Sequence, residues 1–297
     1  MVIMTVGLPK SGKTTYANEL EKYGFEYFTS TIDKDAIISA IEMGQNIVID
    51  SYNLSRIQRM AFIQYLDETL EQHVEKKCVL FVKPFALLRT RIKQSHKFEI
   101  SNFDANEELM KYATKFNPPS YMEGWDDIEI IWSTMTGNVL DPETLKFSDE
   151  DDYYRLGQHM ENARLYYETS TPIKQQDKLL ATAIYYHDLG RVNYYYLETN
   201  DDHAETLLSE ENSENLSAYL YLVLENDELI ENCLFEQKNY STGACVQFVL
   251  TIANMINFQK KPENEWKLCN QEVLRKRYGS TFVKQIYKLN ECDKLTR

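Results

Sequence analysis

The amino-acid sequence predicts an α/β domain, with a parallel sheet flanked by helices, followed by an all-α domain. Strand-like and helix-like segments alternate between residues 1 and 132, as is typical of a parallel sheet covered by helices. A glycine-containing loop at residues 7–14 separates the first strand from the first helix. Beyond residue 153, apolar residues recur at helical spacing. The predicted domains are therefore residues 1–140 and 153–297, joined by a linker at 141–152.

The individual elements follow from short apolar runs bounded by turn or polar residues. Strands are predicted at residues 2–6, 26–29, 46–50, 78–82 and 128–132, with helices between them that include 55–71 and 106–114. In the second domain, helices are predicted at residues 156–168, 174–186, 204–225 and 242–258. The linker is assigned from Gly137, Pro142 and the acidic run at 149–152, where the periodicity lapses.

Charge and composition exclude some classes of protein. The 297 residues carry a formal net charge of −14, which argues against extensive binding of duplex nucleic acid but not against an enzyme that holds a few phosphates. No apolar run approaches the roughly 20 residues of a membrane span, so no membrane partner is expected. The scattered cysteines lack C-x-x-C spacing and indicate reduced thiols in a cytoplasmic protein. They are Cys78, Cys233, Cys245, Cys269 and Cys292.

The loop at residues 7–14 fits the pattern G-x-x-x-x-G-K-[ST], which binds the phosphates of nucleoside triphosphates. Its backbone N–H groups and the start of the following helix both favour anions. Lys13 is expected to reach the β- and γ-phosphates, and the Thr14 hydroxyl to hold Mg²⁺. The residues predicted to bind ATP are Gly7, Pro9, Lys10, Ser11, Gly12, Lys13, Thr14 and Thr15.

Three carboxylates follow predicted strands and are candidates for phosphoryl-transfer chemistry, which needs a group that accepts the proton of the attacking hydroxyl. Asp33 and Asp35 follow the second strand. Either can be the base, with Asp33 preferred, although Asp is also common at helix N-termini. Asp50 ends the third strand, where it either reaches Mg²⁺ or caps the strand.

A basic cluster lies beyond the fourth strand, at Arg89, Arg91, Lys93 and Lys97. A lid helix that brings arginines to transferring phosphates has this composition. The alternative interpretation is a solvated helix face. On the first interpretation, Arg89 and Arg91 are catalytic.

Two further segments resemble a known family. Residues 50–59 resemble the D-x-T-N-L-x-x-x-x-R segment of P-loop polynucleotide kinases of the bacteriophage type, and residues 116–128 resemble that family's F-x-x-P…E-G-F-D-x-I ending. With the glycine loop, the resemblance spans residues 1–132. It implies transfer of the γ-phosphate of ATP, with Mg²⁺, to a 5′-hydroxyl end of single-stranded RNA or DNA.

The resemblance also implies roles for particular residues. Lys13 and Thr14 carry over as contacts to the triphosphate and to Mg²⁺, Asp33 as the general base, and Arg89 and Arg91 as lid arginines, so Lys13, Asp33, Arg89 and Arg91 are the expected catalytic residues. The residues expected on the acceptor side are Asp35, Asp50, Asn53 and Arg59.

The sequence departs from that family at three positions. Lys10 replaces a glycine, Ala36 replaces an arginine that contacts the acceptor, and Tyr52 replaces a threonine. Two alternatives therefore stay open. One is a small-molecule kinase on the same fold, acting on a nucleoside or sugar, and the other is a nucleotide-dependent binding or regulatory module.

In the second domain, His159 is followed 28 residues later by His187 and Asp188. Imidazole and carboxylate ligands on two helices suit a divalent transition metal that polarises phosphate esters. Residues 153–260 resemble the H…HD phosphohydrolase superfamily, whose fusion to such kinases couples healing of 2′,3′ and 5′ ends. The resemblance implies metal binding by His159, His187 and Asp188.

The ligand set of that superfamily is incomplete in the sequence. Ser213 stands in place of a histidine, and Asn254 in place of the last carboxylate, with His203 a candidate replacement. The domain is either an active phosphohydrolase or a degenerate helical domain that packs, binds substrate or forms a homo-oligomer.

Overall fold

In the computed structural model, the described residues are 1–97, 99–133, 150–190, 213–235, 242–259, 275–276 and 278–296. The chain divides into two compact units, with the residues up to 133 in the first and most of those described after 149 in the second. The predicted boundary at residue 140 and the candidate ligand His203 lie outside the described residues.

The first unit contains a five-stranded parallel sheet, which confirms the predicted α/β class. The strands are β1 (Val2–Gly7), β2 (Phe25–Phe28), β3 (Asn46–Ile49), β4 (Lys76–Phe81) and β5 (Asp127–Ile131). Their order across the sheet is β2-β3-β1-β4-β5, with every neighbouring pair parallel. The helices of this unit are α1 (Lys13–Lys22), α2 (Lys34–Glu42), α3 (Arg56–Thr69), α4 (Phe85–Ser95) and α5 (Asn102–Ala113), with a 3₁₀ turn at Tyr121–Glu123.

The central strand β1 is buried along its whole length. Because helices cover both faces of a parallel sheet, such a strand is nearly continuously apolar and its burial does not alternate. In the register, Val2 is paired with Ile47 of β3 and Gly7 with Phe81 of β4. The carboxyl ends of these strands therefore lie at one edge of the sheet, where ligands of α/β folds bind.

Polar side chains fix where several helices begin. Ser55 accepts a hydrogen bond from the backbone N–H of Gln58 at the start of α3, and Ser101 and Asp104 form a capping box at the start of α5. These caps satisfy backbone donors that the first helical turn leaves without partners. Helix α3 therefore begins within residues 50–59, and α5 begins after the basic cluster.

The elements described beyond residue 149 are helices. They are α6 (Glu150–Ser170), α7 (Lys178–Tyr186), α8 (Ser213–Phe235), α9 (Thr242–Phe258) and α10 (Ser280–Leu295), with a 3₁₀ turn at Ile173–Gln175. Helix α6 begins inside the predicted linker, because acidic residues favour the first turn of a helix. The segment predicted as one helix at 174–186 is divided, since Asp177 caps a new helix by accepting from the N–H groups of Leu179 and Leu180.

Two expectations from composition can be compared with the described residues. None of the helices in the described part of the chain combines the length and hydropathy that a membrane span requires. Where side chains are described, Cys78 and Cys292 are buried free thiols.

Candidate functional site

The glycine loop (residues 7–14) connects the carboxyl end of β1 to the start of α1. The Lys13 side chain is turned inward and only 6% of the residue is exposed. Its Nζ donates to the carbonyl oxygens of Gly7 at 2.9 Å and Leu8 at 2.8 Å, and to Ser11 Oγ at 3.4 Å. Burial lowers the pKa of Lys13 to about 8, although the negative charge of Asp50 opposes the shift. A cation is thus held inside the loop, next to the helix N-terminus.

Backbone conformation explains the residue types of this loop. A Cβ on Gly7 would lie 3.0 Å from both the Phe81 carbonyl oxygen and Ser11 Oγ, and Gly12 has a φ of +107°. Lys10 has a φ of +61°, a left-handed conformation that costs a non-glycine residue about 1 kcal/mol. Lys10 therefore adopts a left-handed conformation of the kind that glycine favours.

A cavity of about 1060 Å³, here called the loop cavity, opens beside the glycine loop. Seven of the eight predicted ATP-binding residues line it; Gly7 does not. Asp50 and Arg91 line the same cavity. The structure therefore brings together the glycine loop, one strand-end carboxylate and one arginine of the basic cluster.

Asp50 follows β3 and is oriented by two neighbouring strands. Tyr27 on β2 donates its hydroxyl to Asp50 Oδ2 at 2.8 Å, and Thr5 Oγ1 on β1 lies 3.5 Å from Asp50 Oδ1. Burial and this hydrogen bond raise the pKa of Tyr27 to about 12. Thr14 is exposed and lines the same cavity. A hydroxyl and a carboxylate are hard oxygen ligands, so this pair fits Mg²⁺.

Two cations approach the loop from beyond β4. Arg91 on α4 donates NH1 to the Lys10 carbonyl oxygen at 2.9 Å. Lys83 also lines the cavity and donates Nζ to the Trp132 carbonyl oxygen. Burial and the nearby charge of Arg91 lower the pKa of Lys83. The sequence did not predict a role for Lys83 at this site, because Lys83 is separated along the chain from the basic cluster. Arg89 does not line this cavity, so of the two predicted lid arginines only Arg91 reaches the loop here.

Asp33 and Asp35 are not brought to the glycine loop. Both side chains are exposed and neither lines the loop cavity. Asp33 is the N-cap of α2 and accepts from the Ala36 N–H at 3.3 Å, while Asp35 Oδ1 lies 3.5 Å from the hydroxyl of Tyr65. The observed position of Asp33 is thus that of a helix-capping acid, the alternative weighed against the general base.

Arg59 was predicted to contact substrate, and the structure places it in a buried ion pair with Glu123. The residue is 1% exposed, and its Nε and NH2 groups donate to Glu123 at 2.8 and 2.7 Å. Its remaining bonds go to the backbone carbonyl oxygens of Asn53, Leu54, Asn117 and Pro118. Because the guanidinium is enclosed by these acceptors, Arg59 joins the two segments that carry the resemblance and has no surface for a ligand.

Asn53 has a similar structural role. It adopts a left-handed φ of +48°, and its Nδ2 donates to the Thr5 carbonyl oxygen at 2.8 Å. Asn tolerates this conformation better than most residues. Asn53 therefore fixes the turn after Asp50 against β1, and it is not among the residues that line the loop cavity.

In the second unit, four side chains converge, and they are here called the His/Asp cluster: His159, His187, Asp188 and Asp293. Their candidate ligand atoms all lie within 4.8 Å of one another. His159 Nε2 is 3.3 Å from His187 Nε2, and Asp293 Oδ1 is 3.1 and 3.3 Å from these two nitrogens. Ligands bound tetrahedrally at about 2.1 Å from a metal are separated by about 3.4 Å. The spacing of the cluster fits a divalent metal.

Hydrogen bonds on the far side of each ring orient the two imidazoles. His187 Nδ1 lies 2.6 Å from the Ile184 carbonyl oxygen, and His159 Nδ1 lies 3.3 Å from that of Thr296. A carbonyl oxygen only accepts, so a hydrogen on each Nδ1 satisfies these contacts, and each Nε2 faces the cluster. Metal-binding histidines are held in this way by their second nitrogen. Burial lowers the pKa of His187, but the Asp188 and Asp293 carboxylates outweigh it and raise the pKa overall.

Asp293 was missed in the sequence, where the last carboxylate was sought at Asn254. Asn254 is buried in α9 and donates Nδ2 to the Leu250 carbonyl oxygen of its own helix at 2.7 Å. Asp293 lies on α10, on the same buried face as Val283, Ile286 and Leu289. The signal that could have identified Asp293 is an acidic residue at a position where the helical repeat predicts a buried apolar side chain.

Ser213, predicted to replace a ligand, is the first residue of α8, and its carbonyl oxygen accepts from Ser217 Oγ at 2.9 Å. It does not belong to the His/Asp cluster. The cluster therefore has two histidines and two carboxylates without Ser213 or Asn254.

Comparison with known proteins does not assign the chain to a family. No family model matches it, and no curated protein matches it. The resemblances therefore depend on the motifs described above, and the function has to be inferred from the two sites.

Proposed function

We propose that residues 1–133 form an ATP-dependent phosphotransferase. The observation that carries this proposal is the inward-turned Lys13, bonded to the Gly7 and Leu8 carbonyl oxygens beside the start of α1. A buried ammonium in a loop of this sequence is positioned for the β- and γ-phosphates of a nucleoside triphosphate. Loop residues, Asp50 and Arg91 line one cavity, so the groups needed to bind and neutralise the triphosphate are close together.

Each of these groups has a proposed role. Thr14 and Asp50 hold Mg²⁺, which neutralises charge on the β- and γ-phosphates when bound. Lys13 and Arg91 stabilise the charge that develops on the transferring phosphoryl group. Tyr27 orients Asp50 through its hydrogen bond. Asp50 lines the loop cavity and Asp33 does not, so Asp50 is better placed than Asp33 to assist the attacking hydroxyl.

The proposed acceptor is a 5′-hydroxyl end of RNA or DNA. The resemblance of residues 50–59 and 116–128 to polynucleotide kinases supports this acceptor. Arg59 and Glu123 join these two segments through a buried ion pair at 2.7 Å, so the segments that resemble the family form one structural unit.

The proposal is tested by a panel of acceptors with labelled ATP: 5′-hydroxyl RNA, 5′-hydroxyl DNA, a nucleoside and a sugar. We expect transfer to an oligonucleotide that Lys13→Ala abolishes and Lys22→Ala, at the exposed end of α1, leaves unchanged. Transfer to the nucleoside or sugar alone would show a small-molecule kinase. Slow ATP turnover that no acceptor changes would show a regulatory module.

For the second unit, we propose a divalent-metal site that hydrolyses phosphate esters. The observation that favours it is the His/Asp cluster, with four candidate ligand atoms within 4.8 Å. A metal bound there would polarise a phosphate oxygen or activate water.

The proposal predicts bound transition metal in the purified protein and hydrolysis of a 2′,3′-cyclic or 3′-phosphate end. His187→Ala should remove both, whereas His73→Ala, at an exposed histidine of the first unit, should remove neither. Protein without metal whose activities survive His187→Ala would refute it.

A further inference from the structure

Tyr52 is an aromatic residue at the border of the loop cavity, held on several sides. Its carbonyl oxygen accepts from the Gly7 N–H at 3.2 Å, and the centre of its ring lies 4.4 Å from that of Tyr112 on α5. Burial and the hydrogen bond with Tyr112 raise the pKa of Tyr52 to about 12. The residue is nevertheless 39% exposed and lines the cavity. An oriented ring thus faces the space in which substrates would bind.

The position of the ring indicates which substrate it meets. Lys13 Nζ lies 4.9 Å from the centre of the Tyr52 ring, and Lys13 is the group proposed to reach the β- and γ-phosphates. Tyr52 is therefore at the transferring end of the triphosphate. A hydroxyl that attacks the γ-phosphorus must approach to about 3–3.5 Å, so the remainder of the acceptor molecule must pass close to Tyr52.

The opposite border of the cavity is formed by residues at the ends of β4 and β5, including Phe81, Lys83 and Ile131. These residues lie across β1 from Asp50 and Tyr52, because β3 and β4 flank β1 on opposite sides. Tyr52 therefore lines the cavity on the same side of β1 as the strand-end carboxylate Asp50.

We propose that the Tyr52 ring is a stacking surface for the base of the acceptor's 5′-terminal nucleotide. This inference rests on the proposed function of residues 1–133. Stacking on an aromatic side chain contributes about 1–3 kcal/mol per base and tolerates any base. It requires no positive charge, which suits a chain of net charge −14. In the family that residues 1–132 resemble, an arginine that binds the acceptor stands at the position of Ala36. Another residue must therefore contribute to acceptor binding in this chain.

Binding can be measured without catalysis. A 5′-hydroxyl oligonucleotide with 2-aminopurine as its first base is titrated with the full chain in the presence of Mg²⁺ and a non-hydrolysable ATP analogue. We expect quenching of the fluorescence with the native protein and with Tyr52→Phe, which keeps the ring, and little quenching with Tyr52→Leu. Tyr23→Leu is the matched control, since Tyr23 is 82% exposed and does not line the cavity.

Kinetics provide the second measurement. We expect Tyr52→Leu to raise the acceptor KM roughly 10- to 100-fold with a smaller change in kcat, and Tyr52→Phe to stay within about threefold of the native protein. An acceptor with an abasic 5′-terminal nucleotide should show a similar rise with the native protein, a result that does not depend on how any variant folds.

The outcomes separate this inference from the proposed function. If the native protein phosphorylates oligonucleotides, but neither Tyr52→Leu nor the abasic acceptor raises KM, the stacking surface is wrong and the kinase stands. If the native protein phosphorylates no oligonucleotide, the proposed function fails. In that case, quenching that depends on Tyr52 would still show a base-binding surface. If this quenching is absent too, the stacking surface also fails.

Discussion

Replacement of Glu123 by glutamine should destabilise the first unit strongly, although Glu123 lies outside the glycine loop. The Glu123 carboxylate accepts from Arg59 Nε at 2.8 Å, Arg59 NH2 at 2.7 Å and Trp125 Nε1 at 3.0 Å. The side chains of Arg59 and Glu123 are 0% and 1% exposed. Glutamine removes the negative charge and turns an NH₂ group toward at least one of these donors.

The magnitude follows from burial. Removal of one partner from a buried ion pair costs about 3–5 kcal/mol, because the remaining charge stays in a low-dielectric environment. The four backbone carbonyl oxygens around Arg59 stay in place and offset part of that cost, so we expect about 3 kcal/mol. At a urea dependence of about 1.5 kcal/mol per molar, the midpoint of unfolding should fall by about 2 M.

The assay is urea unfolding followed by tryptophan fluorescence, since Trp125 is buried against Glu123 and reports on this region. The matched control is Glu129→Gln on β5. Glu129 pairs with Lys77 at 2.9 Å, but the two side chains are 45% and 24% exposed, so its loss should cost under about 1 kcal/mol.

A midpoint for Glu123→Gln within about 0.5 M of that of Glu129→Gln would refute the assignment of Arg59 as a structural residue. The substrate-binding role expected from the sequence makes the opposite prediction. In that case Arg59→Lys would raise the acceptor KM and leave the unfolding midpoint near that of the native protein.

Three further predictions concern the two sites. With the pKa of Lys13 at about 8, binding of a triphosphate anion should be accompanied by protonation of Lys13 wherever the free protein holds it neutral. Calorimetry in buffers of different ionisation enthalpy should show this proton uptake rising from about 0.2 proton at pH 7.5 to about 0.8 at pH 8.5. Asp50→Asn should lower kcat about 100-fold, whereas Asp33→Asn, which can still cap α2, should lower it under about tenfold. Asp293→Asn should weaken metal binding at least about tenfold, and Asn254→Asp should not strengthen it, as metal analysis after dialysis would show.

The results that would contradict these predictions are equally specific. Proton uptake that does not change between the two pH values would show that the Lys13 pKa is not lowered. A larger loss with Asp33→Asn than with Asp50→Asn would show that the segment after β2 moves to the loop when substrates bind. Stronger metal retention with Asn254→Asp would place the last ligand on α9.

Much of the first unit could be predicted because its signals are local. Each strand is a short apolar run that ends at a turn, and no strand boundary differs from the prediction by more than two residues. The glycine loop was identified because a backbone of unusual conformation demands particular residues at fixed spacing. The division between Ile173–Gln175 and α7 was missed, since the capping role of Asp177 competes with a helical pattern that runs through it.

The site residues were harder to predict wherever they depend on distant contacts. Arg59 and Glu123 are 64 residues apart, and a charged residue in a motif looks the same in sequence whether it binds a ligand or a buried partner. Asp293 lies 106 residues from His187 and outside residues 153–260, which carry the resemblance to the phosphohydrolase superfamily. Such contacts form only when the fold brings the helices together.

The ion pair of Arg59 and Glu123 also has an evolutionary consequence. Loss of either Arg59 or Glu123 would leave the other charge buried without its closest ionic partner. The two positions should therefore change together among related chains, and independently of the acceptor each protein uses. A signature built on this pair would recognise chains that share this framework, while the residue at the position of Tyr52 would vary with the molecule that is phosphorylated.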